Sequence, residues 1–299
     1  MYNLLTLMEI DKKELEHLLE LSIILKSERR ELLKNKIFTM IFQKASTRTR
    51  VSFEVAMLEL GGHAIALNVS DIQLSRGESI EDTARTLALY SHAIGARVYS
   101  HSDVERLAKV SRVPVINMLS DLYHPCQTLA DLLTIREYKK EKDLTLAWIG
   151  DGDNVCNSLI IGCHLAGIKI RVGCPEGYEP CEDAIRFARE SVEIIHNSKE
   201  AIKDADIVYT DSFVSMGKES EREERLKAFL PNYQVNEELF SLAKKDAIFM
   251  HCLPAKRGEE VTDAVIDGER SVVWRQAENR LHTQKALLVR LLRNEGIKD

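Results

Sequence analysis

The chain has 299 residues, which is long for one hydrophobic core and favours two domains. Hydrophobic residues make up 44% and charged residues 29%, as is typical of globular proteins. The net charge of −6 argues against a nucleic-acid-binding protein, and no apolar run is long enough to span a membrane. The six cysteines lack paired spacing and the first residues lack a signal-peptide pattern, so we expect reduced thiols and a cytoplasmic location.

The first half of the chain alternates helices and strands. A helix begins after Asp11, where Glu14 completes a capping box, and it reaches about Arg29. Apolar, β-branched runs predict strands at residues 37–42, 63–68, 93–99 and 113–119. A helix follows each strand, with Ser79 capping the second of these helices. The last of them covers Gln127–Tyr138, and the charged run KKEKD after it indicates a domain border.

The second half repeats this alternation. Predicted strands lie at residues 144–150, 169–174, 192–196, 206–211 and 247–252. Predicted helices lie at residues 155–167, 182–191, 199–205, 218–229, 235–245 and 277–294. The helix at 218–229 is so rich in charge that we expect it to be a solvated face. Alternation in both halves predicts two α/β domains, each with a mainly parallel sheet flanked by helices.

The segment KIFTMIFQKASTRTRVSFEVAML, residues 36–58, joins a predicted strand to a predicted helix. Val51, Val55 and Leu58 recur at helical spacing, so the polar cluster STRTR lies at the helix N-terminus. Unpaired N–H groups, hydroxyl groups and two guanidinium groups at such a position favour binding of a dianion such as phosphate. The alternative is an ordinary helix cap, formed by Ser46 or Thr47 and followed by exposed arginines.

Four further polar residues lie at the ends of strands or near the starts of helices. Arg97 ends an apolar strand, where it binds either an anionic ligand or a structural partner. His124 and Gln127 stand in HPCQ at a helix start, where a proline is favourable, and the histidine alternatively serves as a cap. Arg280, near the start of the last helix, is by itself predicted to be an ordinary surface arginine.

Three positions in the second half also have two interpretations. The turn GDGDN lacks the third glycine of a dinucleotide-binding loop, and its two aspartates favour a cationic amine over a pyrophosphate. Asp211 follows a strand, where it contacts a ligand or caps a turn. Cys252 follows another strand, a position that is usually filled by a buried core thiol.

Four motifs in this order give the chain a family resemblance. FQKASTRTR, HPCQ, DSFVSMG and HCLP resemble the signatures of the aspartate/ornithine carbamoyltransferases, and the resemblance extends from NLLTLMEI to the last helix. DxxxSMG and HCLP are similar to the ornithine-specific members. The resemblance implies transfer of the carbamoyl group of carbamoyl phosphate to L-ornithine, giving L-citrulline and phosphate. It implies no metal and no organic cofactor.

The resemblance also implies the site residues. Those implied to bind carbamoyl phosphate are Ser46, Thr47, Arg48, Thr49, Gln73, Arg97, His124, Gln127, Cys252, Leu253 and Arg280. The residues implied to act in catalysis are Thr49, Arg97, His124 and Cys252. Those implied to bind ornithine are Asn154, Asp211, Ser215 and Met216. The Cys252 thiol is expected to contact the substrate amine and not to act as a covalent nucleophile, since carbamoyl phosphate is already activated.

The same resemblance implies an organisation into domains and subunits. A carbamoyl-phosphate-binding domain is expected at residues 1–138, joined by the last helix at 277–299, and an ornithine-binding domain at 139–276. The last helix is expected to pack back on the first domain. A homotrimer or an assembly of trimers is expected, with Gln73 reaching a neighbouring active site. The rival interpretations are a carbamoyltransferase for another acceptor, a catalytically silent relative, and a nicotinamide-dependent dehydrogenase.

Overall fold

A computed structural model of the chain describes residues 2–215 and 217–293. These residues form two compact units, and each unit has its own parallel sheet. The first unit consists of the chain up to Ala130 together with the chain from Glu278 onward, and the second unit is Asp131–Ala277. The domain border predicted after residue 138 lies further along the chain than this division, and it stays a prediction.

The first unit contains the parallel strands β1 (Ile37–Phe42), β2 (His63–Asn68), β3 (Ala93–Arg97) and β4 (Val115–Leu119). They form a four-stranded sheet in the order β2–β1–β3–β4. Its helices are α1 (Lys12–Ser27), α2 (Thr47–Glu59), α3 (Ile80–Tyr90) and α4 (His101–Val110), and α5 (Pro125–Tyr138) begins in this unit and continues into the second. The predicted strands are all present, and Asp11 and Ser79 cap α1 and α3 as predicted.

Burial in this sheet follows strand position. The residues of β3 are all buried because β3 has a neighbour on each side, whereas the edge strand β2 is half-exposed. Phe42, the last residue of β1, is in register with Arg97, and Arg97 pairs in turn with Leu119 at the end of β4. The residues that follow these strands therefore lie at one edge of the sheet, the usual position of ligands in open α/β sheets.

Helix α2 forms where it was predicted but buries a different face. Its buried residues are Thr49, Phe53, Ala56 and Met57. Val51 and Leu58, whose spacing predicted the helix, are 51% and 73% exposed. The exposed pair shows that apolar periodicity alone located the helix correctly without identifying its buried face.

The last helix, α12 (Val273–Leu292), enters the first unit at Glu278 and packs within that unit as expected. Its buried Lys285 donates to the Leu25 carbonyl oxygen and, at 2.9 Å, to the Glu59 carboxylate. Arg290 pairs with Glu14 of α1 at 2.8 Å. Ion pairs to two other helices therefore hold α12 in place.

Lys285→Ala should lower the free energy of unfolding by about 3 kcal/mol, because it leaves the largely buried Glu59 carboxylate with only the exposed Arg29, at 3.6 Å, as a cationic partner. Thermal and urea unfolding would measure this loss. The control is Lys227→Ala, since Lys227 and its partner Glu223 are 74% and 87% exposed and should contribute less than about 1 kcal/mol. Equal destabilisation by the two substitutions would contradict the prediction.

The second unit contains the parallel strands β5 (Thr145–Ile149), β6 (Lys169–Gly173), β7 (Val192–Ile195), β8 (Ile207–Thr210) and β9 (Ile248–His251). They form a five-stranded sheet in the order β7–β6–β5–β8–β9. Its remaining helices are α6 (Asn154–Ala166), α7 (Glu182–Ala188), α8 (Ser198–Ile202), α9 (Arg222–Phe229), α10 (Glu237–Phe240) and α11 (Asp263–Ile266). None of the described helices is long and apolar enough to cross a membrane.

The strand order of this sheet reverses beside its first strand. The chain passes from β5 outward to β6 and β7, then returns to β8 on the other side of β5. The carboxyl ends of β5 and β8 therefore flank the point of reversal, where ligands collect in such sheets. The turn GDGDN and Asp211 follow these two strands directly.

Several predicted bounds in the second unit are wrong. The helix predicted at 235–245 is reduced to α10, the short helix α11 was not predicted, and α12 begins at Val273 instead of 277. The helix predicted at 218–229 begins at Arg222, and it is not only a solvated face because Arg225 is buried. All six cysteines are free thiols, as predicted.

Candidate active site

The polar cluster STRTR lies at the N-terminus of α2, directly after β1. The Ser46 hydroxyl accepts a hydrogen bond from the Thr49 backbone N–H at 3.2 Å and caps the helix. Arg50 is exposed and pairs with Glu54 on the same helix. The alternative interpretation as a helix cap is therefore correct for Ser46, and it leaves the helix N-terminus available to an anion.

Thr49, Gln127 and Arg280 come together from three helices of the first unit. Arg280 of α12 donates to the Gln127 side-chain oxygen at 2.8 Å and to the Thr49 hydroxyl at 3.2 Å. Each of the three side chains is buried. Three predicted site residues that are distant in sequence are thus joined by direct hydrogen bonds.

His124 and Arg97 are also buried in this unit. Burial lowers the pKa of His124 well below its ordinary value, and the charges of Arg280, Arg97 and Arg48 lower it further. The imidazole is therefore neutral near pH 7, when it can donate one N–H group. Three guanidinium groups around a neutral donor form a local site for an anion in a protein of negative net charge.

Two of the predicted residues in the first unit are more accessible. Thr47 is exposed at the first position of α2. Gln73 is exposed on a short 3₁₀ turn, and within residues 2–215 and 217–293 no hydrogen bond joins its side chain to the residues above. Its predicted role toward a neighbouring subunit stays a prediction.

In the second unit, the turn GDGDN is tightly packed. A side chain at Gly152 would place its first carbon atom 2.2 Å from the Pro180 backbone nitrogen, so only glycine fits. Asp151 already pairs with Arg225 at 2.6 Å and with Lys218 at 3.1 Å. Two cationic side chains of the protein therefore already neutralise Asp151, and binding of a substrate amine by this turn stays a prediction.

Asp153 links this turn to the loop that carries Ser215. One carboxylate oxygen caps α6 by accepting the Val155 N–H at 3.1 Å, and the other accepts the Ser215 hydroxyl at 2.9 Å. Burial, together with the Asp211 and Asp151 charges, raises the pKa of Asp153 to about 8. Asn154 is the first residue of α6 and half-buried, and Met216 lies outside the described residues.

Asp211 and Cys252 are neighbours at the ends of β8 and β9. The Cys252 thiol donates to the Asp211 carboxylate, which also accepts the Ser212 N–H at 2.7 Å. Burial raises the pKa of Asp211, although His251 and the thiol hydrogen bond oppose this rise. Burial, followed by the Asp211 charge, raises the pKa of Cys252 well above its ordinary value. Cys252 is therefore a protonated thiol bonded to a carboxylate.

His251 and Glu260 support the loop that contains Cys252. The fully buried Glu260 carboxylate lies 3.0 Å from His251 Nε2, and His251 Nδ1 accepts the Leu253 N–H at 2.8 Å. Because Nδ1 accepts, Nε2 carries the proton and donates to Glu260. This contact holds Leu253 at φ +59°, in the left-handed region. Glu260 was not predicted, since nothing in the surrounding sequence distinguishes it from a surface glutamate.

Asp211, His251 and Cys252 place one possible metal ligand each within 4.8 Å of one another. Both ring nitrogens of His251 are engaged, however, one by Glu260 and the other by the Leu253 N–H. The cluster is thus accounted for by its own hydrogen bonds, and we assign no metal to it.

Iodoacetamide should alkylate Cys252 at least tenfold more slowly at pH 8 than it alkylates a cysteine in an unstructured peptide. The thiolate is the reactive form, and the raised pKa of Cys252 keeps the thiolate fraction small. Mass spectrometry of peptide fragments over time would give both rates, with the unfolded protein in urea as the control. Reaction at the rate of a free thiol would contradict this assignment.

Two family descriptions together cover most of the chain. "Aspartate/ornithine carbamoyltransferase, carbamoyl-P binding domain" matches residues 2–137, and "Aspartate/ornithine carbamoyltransferase, Asp/Orn binding domain" matches residues 142–291. The chain belongs to the aspartate/ornithine carbamoyltransferase family.

Relatives and solved structures agree with this membership. The ornithine carbamoyltransferase of Archaeoglobus fulgidus is 53% identical over 99% of both chains. The anabolic ornithine carbamoyltransferase of Pyrococcus furiosus is 57% identical over 89% of this chain and 86% of its own length. A solved structure of ornithine carbamoyltransferase from P. furiosus has a TM-score of 0.93 at 53% identity, covering 99% of this chain and 98% of that chain. The fold of two parallel-sheet units is that of these enzymes.

Proposed function

We propose that this protein transfers the carbamoyl group of carbamoyl phosphate to the δ-amine of L-ornithine, giving L-citrulline and phosphate. The observation that carries the proposal is the set of three arginines around the neutral His124, two of them buried, in a chain that belongs to the family above. A new bond forms between the δ-nitrogen and the carbamoyl carbon, while the bond from that carbon to the phosphate oxygen breaks. The departing phosphate accepts the proton that the amine loses.

The first unit would bind carbamoyl phosphate. Ser46, Thr47 and Arg48 at the α2 N-terminus would bind the phosphate together with Arg97, because N–H groups and guanidinium groups suit a dianion. Thr49, Arg97 and His124 would donate to the carbonyl oxygen as it gains negative charge in the transition state. Gln127 and Arg280, already bonded to each other, would orient the carbamoyl group.

The second unit would bind ornithine. Asn154, Ser215 and Met216 would hold the amino-acid group, and Asp211 with Cys252 would hold the side-chain amine. This amine must be neutral to attack, although an alkyl amine resembling lysine has a pKa of about 10.4. The roles inferred for Cys252 and Leu253 toward the carbamoyl group rest on the family resemblance alone.

Neither rival from another class has comparable support. The dinucleotide-binding interpretation lacks the glycine pattern, and Asp151 and Asp153 stand where a pyrophosphate would lie. A catalytically silent relative would have no need of the hydrogen bonds among Thr49, Gln127 and Arg280. A carbamoyltransferase for another acceptor is the rival that experiment must exclude.

We further propose that the enzyme acts in arginine synthesis, as a homotrimer or an assembly of trimers in the cytoplasm. The anabolic name of the P. furiosus relative supports the direction. The free cysteines are compatible with a reducing compartment. Subunit number rests on the family resemblance, and light scattering would measure it.

The test is phosphate release and citrulline formation from carbamoyl phosphate with a panel of acceptors. Ornithine, putrescine, N-acetylornithine and aspartate would be compared at equal concentration. Turnover with ornithine alone is the expected result. A preference for another acceptor would overturn the ornithine assignment, and no turnover by protein that binds carbamoyl phosphate would favour the silent relative.

A further inference from the structure

Gln43 directly follows β1 and has no part in the mechanism above. Its backbone N–H donates to the Arg97 carbonyl oxygen at 2.9 Å. Its side-chain oxygen accepts the Tyr99 backbone N–H at 2.7 Å, and its side-chain nitrogen donates to the Asp103 carboxylate at 3.1 Å. One glutamine is thus bonded to the last residue of β3, to the loop after it and to the first turn of α4.

The Gln43 side chain extends the pairing between β1 and β3. In a parallel pair, a residue donates its N–H to one residue of the neighbouring strand and accepts, through its backbone oxygen, from the residue two positions further along. Gln43 makes the first of these bonds to Arg97, but the Tyr99 N–H is bonded to the side-chain oxygen of Gln43 instead. The main chain can therefore leave the sheet toward the STRTR cluster while the end of β3 stays paired.

The pairing on the other side of β3 is irregular at the same position. Ala96 is in register with Asn117 and Arg97 with Leu119, so the pairing with β4 passes over Met118. Such an irregularity bends the strands locally and changes the direction of nearby side chains. The direction of the Arg97 side chain therefore depends on the bonds from Gln43, on the regular side of the strand.

The bonds of Gln43 also have a fixed orientation. The Asp103 carboxylate can only accept, so the amide nitrogen faces Asp103 and the amide oxygen faces the Tyr99 N–H. The Tyr99 side chain is 56% exposed, so packing contributes little to holding it. The Lys44 ammonium group lies 4.7 Å from the centre of the Tyr99 ring and adds a second contact from the segment after β1.

We propose that Gln43 is a positioning residue for carbamoyl transfer, whose side chain fixes the end of β3 and thereby directs the Arg97 guanidinium group toward carbamoyl phosphate. This inference rests on the proposed function. Gln43 is assigned no contact with a substrate and acts through Arg97. Its loss should therefore affect the phosphate and the carbamoyl group, both of which Arg97 would contact, and not ornithine.

Binding of inorganic phosphate, measured by calorimetry without ornithine, is the first test. Gln43→Met keeps the length of the side chain and removes both of its hydrogen bonds. Because a displacement of about 1 Å in a binding group can cost about a hundredfold, we expect Kd for phosphate and KM for carbamoyl phosphate to rise roughly ten- to a hundredfold. In steady-state kinetics kcat should fall by a similar factor, while KM for ornithine should stay within about twofold of the wild type.

A double-mutant cycle tests whether Gln43 acts through Arg97. Arg97→Lys keeps a positive charge but loses the planar group that Gln43 would direct, so it should itself weaken phosphate binding. Adding Gln43→Met to Arg97→Lys should weaken binding by no more than about a further twofold, since residues that act as one unit are not additive. Losses that multiply in the double variant would overturn the inference.

An exchange of donor and acceptor separates positioning from a general loss of stability. Gln43→Glu keeps an oxygen for the Tyr99 N–H but places a second carboxylate against Asp103, so its phosphate affinity should lie between those of Gln43→Met and the wild type. Gln43→Glu combined with Asp103→Asn restores both hydrogen bonds and should bring Kd for phosphate to within about threefold of the wild type. A combined variant that binds phosphate no better than Gln43→Met would overturn the inference.

The matched control is Gln234→Met, in the second unit. Gln234 is half-buried like Gln43, and its amide donates to the Gly258 and Glu259 carbonyl oxygens. This control should leave phosphate binding at the wild-type value. Gln43→Met that binds phosphate and turns over carbamoyl phosphate like the wild type would contradict the inference alone. A wild-type protein that binds phosphate more tightly than Gln43→Met but does not carbamoylate ornithine would instead contradict the proposed function.

Discussion

His124→Ala should lower kcat for carbamoyl transfer about a hundred- to a thousandfold and change KM for carbamoyl phosphate much less. This decrease in kcat is the one expected when a site loses one preorganised hydrogen-bond donor to the carbonyl oxygen that gains negative charge in the transition state. His124 is suited to this role because burial and three arginines keep its imidazole neutral, so that it donates a hydrogen bond without transferring a proton. Steady-state kinetics with saturating ornithine would measure both constants.

A second variant separates the donor from the volume of the ring. His124→Asn retains a neutral N–H donor and should lose less activity than His124→Ala. The control His63→Ala removes an exposed imidazole from β2 and should leave kcat unchanged. Equal activity of His124→Ala and wild type would contradict the role in catalysis.

The pH dependence follows from the same electrostatics. A histidine whose pKa is lowered is already neutral at and above pH 6.5, so its protonation costs activity only at lower pH. The profile of kcat should therefore show no limb from His124 between pH 6.5 and 8. A limb near pH 6.5 that disappears in His124→Ala would show that the imidazole titrates in the ordinary range.

The sequence predicted the order of elements well because local patterns determine it. The apolar run of β1, the cap at Ser46 and the proline that begins α5 are signals contained within a few residues. The order of strands in each sheet is set by long-range pairing, and no local pattern could place β8 beside β5. The exposed Val51 and Leu58 show the same limit for helix faces.

The candidate site was predictable where its residues belong to recognisable motifs. Thr49, Gln127 and Arg280 were predicted through the family resemblance, and their hydrogen bonds join them. The residues that support the site were not predictable, because the role of each depends on a partner that is distant in the sequence. Arg225 belongs to a helix whose many charged residues predicted an exposed face. Its side chain is nevertheless buried against Asp151, 74 residues away in the chain. Glu260 likewise stands in a charged loop and is fully buried against His251.

Asp211→Asn should lower kcat/KM for ornithine by about a hundred- to a thousandfold, the cost of removing one partner from a buried charge pair. Asparagine keeps the shape of the side chain and removes only the negative charge. That charge lies beside the Cys252 thiol, where the substrate amine would bind. Because Asp211 belongs to the second unit, carbamoyl phosphate binding should be nearly unchanged, as calorimetry would show.

Asp206→Asn is the matched control, because Asp206 is a buried carboxylate at the opposite end of β8. Asp206 accepts hydrogen bonds from the Thr145 N–H and from Lys244, so its loss should lower stability without changing KM for ornithine. Equal loss of ornithine use in both variants would mean that the effect of Asp211→Asn comes from a weakened sheet. Equal loss of carbamoyl phosphate and ornithine binding in Asp211→Asn alone would contradict the assignment of the two substrates to separate units.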